Sequence, residues 1–416
     1  MTESFRFQKV LTDIKTGVYV RNYRITNEEL GMDCRWFIEK RRLEGGVSDG
    51  VDIVTVDNGA LSFTIVPTRG MGIWKGEFKG LQLGWKSPVE NLVHPHYINL
   101  ETRGGMGWLY GFNEWIVRCG LESFGSPGVD VITDEEGNKI EVPLTLHGRI
   151  ANIPADTVKV RVASGSTLEL EVEGTVYERT LFGPSFKLTN VTSTSLNSNT
   201  VRLTDVIENL KSTIEEMQVL YHCNYGVPFL EEGARVVAPF KTVAPRDAPS
   251  VEGIDEFDVY GPPESGFVDQ VYFCELLGDE DGRTCVALIG RNGDKAVSMS
   301  FSVEELPCFT IWKHTDSLEN GYVTGLEPGT SFPNLKTFER KRGRVVKLGA
   351  GQKYEVHIEF SVHLGREEVD EVKDRIEGIA GRAKTKVYKN LTPSIPQLKP
   401  SISQATPPRI CSFYVP

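Results

Sequence analysis

The strongest constraint on the fold of this chain is a two-residue alternation of apolar and polar side chains. In KYEVHIEFSVHLG, apolar side chains occupy every second position from Tyr354 to Val362. The same alternation runs through residues 158–162 and 168–172. Successive side chains of a β-strand point to opposite faces, so this period predicts strands with one buried face.

One helical pattern stands out among these strands. Across residues 366–382, apolar side chains recur on one helical face, at Val369, Val372, Ile376 and Ile379. The strands do not alternate with helices in the rhythm of a parallel α/β sheet. The sequence therefore predicts an all-β fold, a large antiparallel sandwich with few helices.

Turn-forming residues divide the chain into segments. Asn58-Gly59 separates two apolar runs and predicts a hairpin with a type I′ turn. Residues 240–266, rich in Pro, Gly and acidic groups, predict an ordered loop or insertion. We expect residues 1–390 to form a single domain, with residues 1–50 as an N-terminal segment without a clear period. Residues 391–416 predict a Pro- and Ser-rich tail.

Charge and cysteine content narrow the function classes. The net charge of −11 argues against nucleic-acid partners, because phosphates are neutralised by excess positive charge. The seven cysteines are scattered without C-x-x-C spacing, which favours a reducing compartment. The sequence shows no long apolar run or signal-peptide pattern, so we expect a cytoplasmic protein with no membrane partner.

The stretch LYHCNYGVP contains a candidate functional pair. His222 and Asn224 lie two residues apart, and the turn formers Gly226 and Pro228 follow them. On an extended backbone, both polar side chains would point to the same face of a sheet, near a strand end that small molecules can reach. This placement predicts that His222 transfers protons in a sugar-binding cleft.

Three further polar residues lie in short, distinctive contexts. These are His147 in LHGR, Asp269 in FVDQVYF and Glu327 in GLEPGTSFP. Carboxylates beside histidines suit acid–base chemistry, because imidazole titrates near ~6.5. Trp312 and Lys313 precede the Glu327 segment and are candidates for the cleft wall.

With these residues in this order, the chain resembles the aldose 1-epimerases (galactose mutarotases), and more closely their uncharacterised bacterial branch. The family has one histidine in an LHG context, a second in an H-x-x-[FY]-N-like segment, and a glutamate where a strand runs into a loop. The resemblance covers roughly residues 51–365. It implies a β-supersandwich with a sugar site on its concave face.

The resemblance also implies roles for individual residues. Glu327 would remove the proton of the anomeric hydroxyl, and His222 would protonate the ring oxygen. His147 and Arg118 would hold hydroxyls, and Asp269 would accept hydrogen bonds from others. Asn224 joins the substrate-binding set beside His222. The implied partner is a small-molecule sugar, with no cofactor and no metal.

Other interpretations remain open at this stage. A histidine in a β protein is usually a packed or surface residue, Trp312 can belong to the core, and Asp269 can pair with a surface arginine. A non-catalytic carbohydrate-binding or sensing protein is the main alternative function. Glycoside hydrolysis ranks lower, because it generally needs two facing carboxylates.

Two ligand alternatives also remain open. His94 and His96, followed by Glu101, resemble half of a metal signature and would suit a metal-dependent sugar isomerase. Converging arginines would instead bind an anionic group on the sugar; the candidates are Arg69, Arg103, Arg118 and Arg149. The identity of the sugar and the oligomeric state are not predicted.

Overall fold

The computed structural model describes residues 4–133, 137–164 and 167–391, and far more of these residues form β-strands than helices. In chain order the strands are β1 (Ser4–Asp13), β2 (Val18–Tyr19), β3 (Tyr23–Thr26), β4 (Phe37–Arg42), β5 (Asp52–Asp57), β6 (Leu61–Val66), β7 (Gly72–Phe78), β8 (Leu81–Leu83), β9 (Ile116–Leu121), β10 (Gly128–Thr133), β11 (Lys139–Leu144), β12 (Thr157–Ser164), β13 (Leu168–Arg179), β14 (Ser185–Ser195), β15 (Thr200–Asn209), β16 (Glu215–Tyr225), β17 (Arg235–Val237), β18 (Phe240–Pro245), β19 (Gln270–Leu276), β20 (Arg283–Ile289), β21 (Lys295–Ser302), β22 (Cys308–Thr315), β23 (Tyr322–Gly329), β24 (Val346–Leu348), β25 (Lys353–Leu364) and β26 (Lys386–Val387). The helices are α1 (Thr102–Gly105), α2 (Ala248–Glu252), α3 (Lys336–Lys341) and α4 (Arg366–Ala380).

Two large sheets contain nearly all of these strands. The ten-stranded sheet has the order β17-β20-β21-β25-β15-β14-β13-β12-β1-β2. The fourteen-stranded sheet has the order β26-β18-β19-β22-β23-β16-β9-β7-β6-β5-β4-β3, with β24 beside β16 and β8 beside β7. Within the described residues, neighbouring strands are antiparallel apart from β18 and β26. The predicted all-β antiparallel sandwich is confirmed.

Apolar side chains from both sheets meet in one core. Leu188 and Leu203 come from the ten-stranded sheet, and Val219 and Leu326 come from the other. β14 and β15 alternate buried and half-buried residues, as the sequence period predicts. β16 is instead buried along almost its whole length. Its second face is covered by a smaller apolar cluster, which groups Trp108, Phe112 and Phe124 with Leu220.

A buried ion pair crosses the core between the sheets. Arg118, on β9, donates hydrogen bonds to both carboxylate oxygens of Asp205, on β15. The hydroxyl of Tyr221, on β16, donates to the same carboxylate at 2.7 Å. Both charged side chains are at most 1% exposed. Each charge would be costly without the other, so the pair ties the middle of the fourteen-stranded sheet to the opposite sheet.

The helices and strands of the structure test two local predictions. The predicted helix is α4, which buries Val369, Val372 and Ile376 as expected. The prediction of a two-residue type I′ turn at Asn58-Gly59 is wrong, because Asp57 pairs with Ser62 and leaves a longer loop between the strands. That loop is closed by the side chain of Asn58, which accepts hydrogen bonds from two backbone N–H groups.

Two segments contain strands that the sequence did not reveal. Residues 240–266 were expected to form a loop, but they begin with β18, which pairs with β19. The N-terminal segment contains β1 to β4. β1 has register irregularities, one of them between Val10 and Thr12, and such bulges break the two-residue period. In the predicted tail, residues 392–416 lie outside the described residues.

None of the helices in the described part of the chain is long and apolar enough to cross a membrane.

Candidate active site

The site is built on the face of β16 that points away from the inter-sheet core. Tyr221, Cys223 and Tyr225 belong to that core. Side chains alternate along a strand, so His222 and Asn224 lie on the opposite face. The predicted placement of these two polar residues on one face of a sheet is confirmed.

Antiparallel pairing with β23 brings a carboxylate to the same face. Cys223 is aligned with Leu326, and Asn224 with Gly325. The same register sets His222 opposite Glu327, at the distance of direct cross-strand neighbours. The Nε2 atom of His222 lies 3.2 Å from Oε1 of Glu327. The two residues that were predicted to be catalytic are therefore in direct contact.

Burial dominates the electrostatics of this pair. His222 is 5% exposed and Glu327 is 2% exposed. Burial disfavours the charged form of each group, so it lowers the pKa of His222 to about 4 and raises that of Glu327 to about 8. At neutral pH the pair thus holds one transferable proton and carries no net charge.

Asn224 contacts the other ring nitrogen of His222. Its Oδ1 lies 2.7 Å from Nδ1. Its amide nitrogen donates to two backbone carbonyl oxygens, so both polar atoms of the side chain are engaged within the protein and Asn224 supports His222 instead of binding substrate. This corrects its assignment as a substrate-binding residue.

His147 lies beside the pair on a strained loop. Its φ of 57° is in the left-handed region, which residues other than glycine rarely adopt. Backbone hydrogen bonds to Gly120 and Gly125 hold the loop. The imidazole centroid lies 5.4 Å from that of His222. Burial lowers the pKa of His147 well below its usual value, which keeps the ring neutral.

Aromatic rings cover the pair. Phe112 and Trp312 contact the His222 ring with centroid distances of 5.0 and 5.4 Å. Trp108 packs against His147 at 4.7 Å. Trp312 also stacks on His314, at 5.4 Å and 9° between the ring planes. Trp312 therefore lies on the same face as the pair, where a cleft wall was predicted.

Three buried polar atoms around the pair lack a hydrogen-bond partner among the described residues. They are Nδ1 of His147, Nε1 of Trp108 and Oγ1 of Thr310. Thr310 is the cross-strand neighbour of Glu327 on β22. An unsatisfied buried polar atom costs about 1–3 kcal/mol. Their grouping favours a ligand that carries several hydrogen-bonding groups.

Asp269 lies outside the buried pair and near Arg246. Its carboxylate is 42% exposed and lies 3.5 Å from the guanidinium of Arg246. The positive charge of Arg246 in turn lowers the pKa of Glu327 against the larger effect of burial. The alternative of a surface arginine partner for Asp269 matches this geometry, and sugar binding by Asp269 stays a prediction.

Arg118 and Lys313 do not face the site, and their assignment to the substrate wall is wrong. Arg118 is held between the sheets by Asp205. Lys313 donates from Nζ to the backbone oxygens of Glu256 and Val259, at 2.9 and 2.6 Å. It lies next to Trp312 on a strand, so the two side chains point to opposite faces.

The two ligand alternatives find no support in the geometry. Arg69 is 1% exposed and is bound to Glu114, so like Arg118 it is already paired, while Arg103 and Arg149 are exposed. Nδ1 of His94 accepts the backbone N–H of His96. In residues 4–133, 137–164 and 167–391, no three His, Cys, Asp or Glu side chains are grouped closely enough to hold a metal ion.

A cavity of about 950 Å³ lies beside the His147 loop. Gly148 and Arg149 contribute to its wall, together with charged side chains of both signs. His222 and Glu327 do not line it. Aromatic rings cover the pair, and its two side chains are at most 5% exposed, whereas an open cleft between the two residues was expected.

Gly325 was missed in the sequence, although its position carries a signal. It precedes Glu327 by two residues, so both lie on the same face of β23. A Cβ atom at Gly325 would lie 2.5 Å from Oε1 of Glu327 and 3.0 Å from Cε1 of His222. The absence of a side chain at Gly325 is what leaves room for the pair. Phe112 and Thr310 were also missed, because nothing local distinguishes them from core residues.

Comparison with known proteins places this chain in a family. A family model described as a domain of unknown function, DUF4432, matches residues 48–362. A comparison with curated proteins finds no match. The fold is that of a galactose mutarotase-like β-sandwich. Within that class, the chain belongs to the DUF4432 family.

Solved structures share this architecture. A protein from Klebsiella pneumoniae subsp. pneumoniae, provisionally named an aldose 1-epimerase, is 35% identical, with 94% of this chain and 99% of that chain covered and a TM-score of 0.87. A galactose mutarotase-like protein from Clostridium acetobutylicum is 17% identical, with 79% and 98% covered and a TM-score of 0.51. A galactose 1-epimerase from Lactobacillus acidophilus NCFM is 12% identical, with 78% and 98% covered and a TM-score of 0.50. The last two show similarity of fold alone.

The substitution Gly325→Ala is expected to separate His222 from Glu327 with little loss of stability. The added methyl group collides with the flexible end of the glutamate, so the carboxyl group moves rather than the backbone. The ¹⁵N chemical shift of His222 Nε2 should change, while thermal unfolding stays near that of the wild type. Gly378→Ala is the matched control, because nothing lies within 4 Å of its added Cβ. An unchanged Nε2 signal in Gly325→Ala would contradict the packing argument.

Proposed function

We propose that this protein is an aldose 1-epimerase-like isomerase, which interconverts the anomers of an aldose or aldose derivative by acid–base ring opening. The observation that carries the proposal is the direct contact between His222 Nε2 and Glu327 Oε1. The 35% identical relative that is provisionally named an aldose 1-epimerase supports the reaction class.

The reaction needs an acid and a base side by side. Opening a cyclic hemiacetal removes a proton from the anomeric hydroxyl and adds one to the ring oxygen. Both oxygens are bonded to the same carbon, so adjacent Oε1 and Nε2 atoms match their spacing. Glu327 takes the hydroxyl proton, and His222 protonates the ring oxygen. Rotation about the C1–C2 bond and the reverse proton transfers then close the other anomer.

The shared proton supplies both steps. In the resting pair, the proton is on Glu327 and Nε2 is free. Transfer across the contact gives the carboxylate and the imidazolium that ring opening requires. After opening, the proton from the anomeric hydroxyl is on Glu327 and His222 is neutral again. Protonated Glu327 and neutral His222 are therefore also the forms that close the ring, with His222 as the base and Glu327 as the acid. Transfer of the proton back to Glu327 then restores the resting pair, and no external proton is needed.

The surroundings suit a polyhydroxylated ligand. Sugar hydroxyls would pair with His147 and Thr310, whose polar atoms lack partners in the described residues. The half-buried ring of Trp312 offers an apolar face to the C–H groups of the sugar. Neutral His147 can donate or accept a hydrogen bond without placing a charge beside the pair.

The substitution Glu327→Gln should lower the enzyme-catalysed rate of anomer exchange by about 10²–10⁴-fold, because the amide cannot take the proton of the anomeric hydroxyl. Exchange spectroscopy by NMR over a panel of aldoses measures this rate directly. Glu371→Gln, the same chemical change at an exposed position of α4, is the control and should retain wild-type exchange.

Two results would contradict the proposal in different ways. Equal exchange rates in wild type and Glu327→Gln would remove Glu327 from the reaction. A wild-type protein that binds an aldose without raising its exchange above the spontaneous rate would favour the non-catalytic carbohydrate-binding alternative.

The pH dependence should reflect the single proton of the pair. Below about pH 4 both groups are protonated and no base remains, and above about pH 8 the pair has lost its proton and no acid remains. The catalysed kcat/KM, corrected for spontaneous exchange, should therefore be bell-shaped with a broad plateau between these limits. A rate that falls through the usual pKa of histidine, near ~6.5, would show that burial does not set the protonation of the pair.

A further inference from the structure

Asn224 contacts His222 and the backbone in a way that determines the ring tautomer. The amide nitrogen of Asn224 donates to the carbonyl oxygen of Glu114 at 3.0 Å and to that of His222 at 3.1 Å. A flipped amide would set its oxygen against these two carbonyl oxygens. The orientation of the side chain is therefore fixed, with Oδ1 directed at Nδ1 of His222.

The carbonyl group that orients Asn224 is itself held in place. The side chain of Glu114 is fully buried and accepts a hydrogen bond from Nε of Arg69 at 2.6 Å. Arg69 also donates to the backbone oxygen of Gly111 and to Asn152. The backbone N–H of Asn224 donates to Trp115 at 2.7 Å. Asn224 is thus anchored through its side chain and its backbone.

The consequence for His222 follows from hydrogen-bond chemistry. An amide oxygen can only accept, so the 2.7 Å contact requires a proton on Nδ1. In the neutral ring, Nε2 is then unprotonated. This is the nitrogen that faces Glu327.

We infer that Asn224 is a positioning residue, which holds His222 in the Nδ1–H tautomer so that Nε2 is free to exchange a proton with Glu327. Its catalytic consequence rests on the proposed function, but the tautomer does not. Asn224 acts through His222, because its amide oxygen and nitrogen are both already hydrogen-bonded within the protein.

The histidine tautomer can be measured by ¹⁵N NMR on the full-length protein. In the wild type, His222 should show a protonated Nδ1 and an unprotonated Nε2. Asn224→Leu, which has similar size and no acceptor, should give a mixture of tautomers or the Nε2–H form. Asn224→Asp should keep the proton on Nδ1, because a carboxylate oxygen also accepts. It tests the acceptor independently if the Leu variant does not fold.

Kinetic measurements distinguish a positioning role in catalysis from a purely structural role. In Asn224→Leu, kcat for anomer exchange should fall by about 10-fold or more with little change in KM, because the wrong nitrogen then carries the proton. Asn224→Asp should recover part of kcat. Its negative charge should also raise the pKa of His222, so the loss of activity at low pH should begin at a higher pH. The titratable groups against the His222 ring are Glu327 and His147, and both are unchanged in these variants.

The outcomes separate the two claims. A wild-type His222 with its proton on Nε2, or an Asn224→Leu protein that keeps the Nδ1–H form, would overturn the role of Asn224. A wild-type protein with the expected tautomer but no anomer exchange would instead overturn the proposed function. Retention of the wild-type kcat in a folded Asn224→Leu protein would show that the tautomer does not limit the reaction.

Discussion

The antiparallel register between β16 and β23 sets His222 opposite Glu327 on one face of the fourteen-stranded sheet. A shift by one residue would turn His222 toward the inter-sheet core and separate it from Glu327. The aromatic cover makes the contact nearly dry, so burial keeps both groups neutral and leaves them to share one proton. Asn224 and Gly325 serve the same pair, one by fixing the ring nitrogen and the other by leaving space for the carboxyl group.

This register depends on support from the opposite side of the sheet. Directly behind the site, Tyr221 and Arg118 bind Asp205 of the ten-stranded sheet. Loss of one charge from such a buried pair typically costs about 3–5 kcal/mol, because the other charge remains buried. Tyr221 precedes His222 on β16 and points to the opposite face of the sheet, so its bond to Asp205 anchors the strand that carries His222. The functional face and the structural face of β16 alternate residue by residue.

The sequence predicted the all-β class, helix α4, and the types of residue in the site, because side-chain period and local context report these properties. It could not predict that His222 and Glu327 touch, because register and strand order depend on the whole sheet. Arg118 was misassigned because its neighbours Val117 and Cys119 are also buried, so the alternation of polarity disappears on a strand that is covered on both faces. The assignment of Lys313 to the site could have been rejected from the sequence. Lys313 lies two and four residues after Ile311 and Phe309, so it shares their face of the strand, and that face points to the core.

Difference infrared spectroscopy of wild type against Glu327→Gln is the most direct test of the shared-proton pair. At about pH 6, where a free glutamate is ionised, the wild type should show the C=O band of a protonated carboxyl group. That band should disappear as the pH rises through about 8. If only carboxylate bands are assigned to Glu327 at about pH 6, the neutral pair does not exist and the proton-sharing mechanism is wrong.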